Sequence, residues 1–109
     1  MQRKGFYMSF EGLLTKESNV LTAKLAGEFD TDAASEFQKQ LEEYDVNGID
    51  KIVFDLSDVT FVASSGIRVF IVAKKRLITD MDVEVIGAKG IVLSIIQMSG
   101  VNSFINVVE

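Results

Sequence analysis

Apolar residues recur along this chain at every second position in some stretches and at every third or fourth in others, and the two periods alternate several times. Phe6, Met8 and Phe10 alternate with more polar neighbours as in a half-buried strand, Lys16-Glu17-Ser18-Asn19 is a polar turn, and Val20 to Ala26 forms a second strand signal. The two predict a hairpin. After Asp30-Thr31, either of which can cap a helix, Ala34, Phe37, Leu41 and Tyr44 fall at helical spacing while Glu36, Lys39, Gln40 and Glu43 fall elsewhere, and Asn47-Gly48 supplies a stop. Lys51 to Leu56 is a short run rich in β-branched and aromatic residues, as expected of a strand buried on both faces. From Ser65 to Ile78 the spacing is helical but apolar around more than half the circumference, with Ile67, Val69, Phe70, Ile71, Val72 and Ala73 in near succession. Asp82 to Ile86 alternates as a strand, Lys89 to Gln97 predicts a helix, and Phe104 to Val108 a last strand.

The predicted order is β-β-α-β-α-β-α-β. Strands alternating with helices require crossover connections, so an α/β fold follows, with a mixed sheet that is parallel after its N-terminal hairpin. A length of 109 residues suits one domain, 1–109, and no proline, low-complexity run or repeat marks a linker.

Composition narrows the chemistry. With no cysteine there is no disulfide or thiolate metal site, and with no histidine the commonest general base and the commonest transition-metal ligand are both missing. No cofactor or metal is expected. A formal net charge of -5, with Lys74-Lys75-Arg76 as its one compact basic run, repels nucleic acid and anionic membrane surfaces alike. No apolar stretch approaches the roughly 20 residues of a membrane-spanning helix, and Met1-Gln2-Arg3-Lys4-Gly5-Phe6 lacks the apolar region of a secretory signal. The expectation is a cytoplasmic protein without direct membrane insertion.

The strongest candidate site is the strand-to-helix junction around Ser64-Ser65-Gly66. A helix opening leaves N–H groups unpaired and carries the positive end of the helix dipole, so a serine there either caps the helix or, once phosphorylated, holds the phosphate comfortably. Spacing alone favours capping by one serine, with Gly66 giving the backbone room. Asp30 has an ordinary capping role open to it, and Asp55 and Asp58 have turn and strand-end roles. Gly87-Ala88-Lys89-Gly90 lacks the spacing and the Lys-Ser/Thr ending of a phosphate loop. A Ser64 nucleophile would have no placed base, so the chain is not expected to be an enzyme. The apolar excess at Val69 and Val72, flanked by Arg68 and Lys75, marks a candidate protein-contact face.

Asp55-Leu56-Ser57, Val59, Phe61, Ser64-Ser65-Gly66 and Ile67 together resemble the signature of STAS domains, the family of bacterial anti-sigma factor antagonists. Leu25-Ala26-Gly27-Glu28-Phe29-Asp30 is similar to the family's Gly-Glu-Leu-Asp segment, and Met98-Ser99-Gly100-Val101 with Phe104-Ile105 to its late Ser-Gly-Leu turn and last strand. The resemblance implies the STAS fold, Ser64 as phosphoacceptor and Asp30 beside it, with Ala63, Ser65, Gly66 and Arg68 around the site. It also implies two partners: an anti-sigma factor that is itself an ATP-dependent serine kinase, bound and sequestered by the unphosphorylated protein, and a serine phosphatase that resets the cycle. Two positions depart from the family pattern: Ala63 stands where an acidic residue is usual, and Arg68 where a small one is frequent. The alternative implied by the same family is a STAS subunit of a stress-signalling or lipid-transport assembly that is never phosphorylated, and Ala63 leans toward it.

Overall fold

The computed structural model describes residues 10–74 and 82–108. Its elements run β1 (Phe10–Glu17), β2 (Val20–Phe29), α1 (Thr31–Glu43), β3 (Lys51–Val62), α2 (Ser64–Val72), β4 (Asp82–Ile86), α3 (Gly90–Ser99), a 3-10 turn (Val101–Ser103) and β5 (Asn106–Val107). This is the expected order and the expected mixed α/β sheet. The strands lie side by side in chain order, β1 antiparallel to β2 and the remaining pairs parallel. Three successive crossovers each step one strand in the same direction, and the right-handed rule for such connections puts α1, α2 and α3 on one face of the sheet.

Local chemistry explains the elements and their limits. Glu17 pairs with Val20, so Ser18-Asn19 is a two-residue hairpin turn, with Ser18 at φ 56°. Strand β1 is described from Phe10; Phe6 and Met8, the start of the first strand signal, lie outside the described residues. Helix α1 buries Ala33, Ala34, Phe37 and Leu41 and ends at Glu43, before the Asn47-Gly48 stop, because Tyr44 has already turned extended at φ -78° and ψ 139°. Helix α3 ends on Gly100, whose φ of 79° is the left-handed cap that glycine adopts without strain. The segment after it winds into the 3-10 turn, leaving only Asn106–Val107 as strand where five residues were expected.

Strand β3 departs from expectation twice. It is covered on one face only, Ile52, Phe54 and Leu56 being buried while Lys51, Val53 and Asp55 are partly exposed, since the helices occupy a single face. It also continues past Leu56 to Val62. The ten residues of β2 pair with the twelve of β3, and register shifts between Lys24 and Ala26 and between Gly27 and Glu28 each absorb one extra β3 residue as a bulge. Asp55 brackets the first bulge, its carboxylate accepting hydrogen bonds from the Ser57 amide at 3.0 Å and from the Ser57 hydroxyl. Lys24 on β2 bridges Asp55 at 3.4 Å and Asp58 at 3.3 Å.

Beneath the helices lies an aromatic cluster. Phe29, fully buried at the end of β2, stacks on Phe10 at 5.3 Å between ring centroids and contacts Phe37 at 6.1 Å and Phe70 at 6.2 Å; Phe54 packs on Phe70 at 4.8 Å. One residue from each of β1, β2, α1 and α2 therefore meets at Phe29. Offset and edge-on rings of this kind add to the burial energy of the side chains themselves.

Candidate functional site

The ends of β2 and β3 are neighbours, Phe29 pairing with Val62, and each strand runs straight into a helix. Just beyond the pair, the Ala63 amide donates to the Phe29 carbonyl at 2.9 Å. The openings of α1 and α2 are thereby held side by side, and Asp30 and Ala63 are their respective N-cap residues. The expectation that a serine caps α2 is corrected here. Ala63 takes the cap position with extended backbone, φ -81° and ψ 164°, and has no side chain able to cap; Ser64 and Ser65 are the first two helical residues.

With no capping side chain, the third amide of α2, that of Gly66, turns back on the Ala63 carbonyl at 2.9 Å, and the Ile67 amide shares the same acceptor at 3.1 Å. The amides of Ser64 and Ser65 have no partner among the described residues. Ser64 is exposed, and its hydroxyl likewise makes no hydrogen bond among them. Ser65, less exposed, donates from its hydroxyl to Thr31 Oγ1 at 3.3 Å and so ties the two helix openings together. Gly66 is buried, and its role is close approach: a Cβ there would meet Phe29 Cδ2 at 2.7 Å and the Phe29 carbonyl oxygen at 3.2 Å. Only glycine lets the first turn of α2 lie flat on the aromatic cluster.

Asp30 performs the capping role foreseen as one of its options, its Oδ1 accepting from the Ala33 amide at 2.9 Å. It stands one residue from Phe29 and thus next to the Ala63–Ser64 junction. Arg68 is exposed, four residues after Ser64, and among the described residues it forms no ion pair. It borders a shallow groove of about 260 Å³ between α1 and α2, lined also by Thr31, Ser35, Lys39, Glu42 and Ser65.

The proposed contact face on α2 needs correction. Val69 is fully buried, and Val72 is only partly exposed. Helix α2 is the middle of the three, in contact with α1 on one side and α3 on the other, so its second apolar stripe is covered by a neighbouring helix. Lys75 lies outside the described residues. Two features of the junction were missed in the sequence. Phe61, two residues before Ala63, is 42% exposed, an aromatic side chain left at the surface beside the site. The α1 wall of the groove, with Ser35 and Lys39, was indistinguishable from any solvated helix face, because spacing shows that a face is polar and not which neighbour it meets.

Asp55, on the strand leading to the site, is pushed up by partial burial, but hydrogen bonds from Ser57 and the charge of Lys24 outweigh this and hold the carboxyl below its usual value. In turn, the hydrogen bond to Asp58, reinforced by both carboxylate charges, raises Lys24 against a smaller desolvation effect. Among the described residues no group of carboxylates is arranged to hold a metal ion, and no helix is long and apolar enough to cross a membrane.

This architecture and this junction are those of a STAS domain. The family's sequence pattern matches residues 13–109, and the chain belongs to the STAS domain family. The fold is similar to that of an anti-sigma factor antagonist from Mycobacterium paratuberculosis, with a TM-score of 0.80 and 21% identity over 91% of this chain and 85% of that one. It is similar too to the anti-sigma factor antagonist SpoIIAA in its unphosphorylated form, with a TM-score of 0.77 and 16% identity over 91% and 89% of the two chains. Part of the murine Solute Carrier 26 family member A9 anion transporter shares the fold at a TM-score of 0.65 and 15% identity, over 83% of this chain and 15% of the transporter. A search of curated proteins finds no match.

Proposed function

We propose that the protein is an anti-sigma factor antagonist whose binding is switched by phosphorylation of Ser64. The observation that carries this reading is the state of Ser64: exposed, first in its helix, free of the capping duty that would otherwise account for a serine there, and part of a Ser-Ser-Gly segment that resembles the family's signature. In the unphosphorylated form the protein binds and sequesters an anti-sigma factor with serine kinase activity, which frees the sigma factor. A phosphoryl group on Ser64 adds about -1.5 to -2 charges at neutral pH and breaks the complex at the contact itself; a serine phosphatase restores it. The contact surface centres on Ser64, with Asp30, Ala63, Arg68 and the exposed ring of Phe61 around it. The chain acts as substrate and binder, and the chemistry belongs to its partners.

The test is incubation with ATP and the candidate kinase of the host, followed by intact mass and phosphopeptide mapping. One phosphate on Ser64, absent in Ser64→Ala, is the expected result. Phosphate confined to Ser65 or Thr60 would overturn the assignment.

A second reading, a STAS subunit of a stress-signalling or lipid-transport assembly that is never phosphorylated, is favoured by one observation: Ala63 stands where an acidic residue is usual before the phosphoacceptor. It predicts an unchanged mass in the kinase reaction together with a stable complex recovered from the host.

A further inference from the structure

Ser64 and Arg68 lie four residues apart on α2, both exposed and both without a side-chain partner among the described residues. Side chains on a helix lean toward its N-terminus, so Arg68 extends over the turn that begins at Ser64. An anion followed four residues later by a cation is the favourable orientation of such a pair, aligned with the helix dipole. An arginine offers a forked set of donors that matches phosphate oxygens two at a time. Arg68 is also a departure from the family pattern, so the pairing is a property of this chain.

From this geometry we infer that Arg68 captures the phosphate of phosphoserine 64 within the same helix, and that this capture withdraws the Arg68 charge from the groove between α1 and α2. The inference rests on Ser64 being the phosphorylated residue. In the unphosphorylated protein Arg68 and Lys39 present two cations along the groove, on a chain whose formal net charge is -5, and they suit a carboxylate-bearing segment of the partner. Phosphorylation would then remove an attraction as well as add a repulsion, with no rearrangement of the fold.

The experiment uses the full chain with phosphoserine installed at position 64 by coded incorporation, so that no kinase is needed. The second ionisation of the phosphate is followed by phosphorus NMR in the parent, Arg68→Met, Arg68→Lys and Lys39→Met; Asp30, Asp32 and Glu42 remain in place throughout. An exposed phosphoserine has its second pKa at about 6. The parent midpoint should lie below that of Arg68→Met by a few tenths of a unit, the size of one solvent-facing helix pair. Arg68→Lys should recover part of the shift, and Lys39→Met should leave it unchanged. Equal midpoints in the parent and Arg68→Met overturn the capture, and so does a shift that depends on Lys39 instead. Failure of the proposed switch shows itself separately, as no phosphate on Ser64 when the protein is treated with its kinase.

Discussion

Two helix openings lie side by side at one end of the sheet, and one has a capping side chain that the other lacks. Asp30 and Ala63 have nearly the same extended cap backbone, φ -87° and ψ -171° against φ -81° and ψ 164°, and each follows the last residue of a strand. At α1 a carboxylate accepts the third amide; at α2 that amide must turn back on the Ala63 carbonyl, and the hydroxyl of the first helical residue is left in solvent. Similar extended cap backbone therefore serves a closed structural end in one case and an open chemical end in the other. What separates the two is which side chains the strand ends deliver, and Phe29 is the wall behind both.

The largest effect should come from removing that wall. Phe29→Ala deletes a fully buried ring that touches Phe10, Phe37 and Phe70 and underlies Gly66. A loss of about 3–5 kcal/mol in urea unfolding is expected. Because both openings rest on it, amide exchange should rise at the start of α1 and of α2 together. A rise at α2 alone would mean that the two openings are independent, and the comparison between them would fail.

Next in size are the caps. Asp30→Ala should cost about 1 kcal/mol, the ordinary loss of an N-cap. Ala63→Asp supplies the missing acceptor on a backbone already in cap conformation and should raise stability by about 0.5–1 kcal/mol. The signs are opposite, and thermal melts of the two variants are a direct reading. No gain from Ala63→Asp would show that the opening of α2 differs from that of α1 in more than its side chain.

Much of this arrangement was legible in the sequence, for reasons that also explain the rest. The turn at Ser18-Asn19, the phase of α1 from Ala34, Phe37 and Leu41, and the C-terminal end of β4 follow from periodicity, which the one-faced sheet and its helices impose directly. The outer half of β3 was hidden because Asp55, Ser57, Asp58 and Thr60 look like turn residues, whereas the observed strand places them at bulges and at exposed positions where polar side chains are at home. The cap at Ala63 was hidden by its own neighbours, since hydroxyl residues attract a capping assignment that alanine does not. Burial of Val69 could not be read from α2 alone; it depends on a neighbouring helix, and helical spacing puts Val69 on the side that carries Ser65 and Arg68, where α2 meets α1. The junction itself stood out because a strand signal, two serines, a glycine and a helix signal meet within a few residues.

The smallest expected effect comes from the strand side. Two bulges give β3 the extra length that brings Ala63 level with the residue after Phe29, and Asp55 with Ser57 brackets the first of them. Because the folded carboxyl of Asp55 is held below its ordinary value of 3.8, its contribution to stability is fully present above that value and is lost as pH falls through the lower folded value. Side chains on this face are in part solvated, so the contribution is a few tenths of a kcal/mol, the range of solvent-facing pairs. Asp55→Asn keeps the shape and an acceptor for Ser57 but cannot change its charge. The parent should therefore be slightly more stable than Asp55→Asn at neutral pH, and the gap in urea midpoint should close on acidification. If the gap persists unchanged at low pH, charge is not what secures the bulge, and the position of the α2 opening must be attributed to the packing of Gly66 on Phe29 alone.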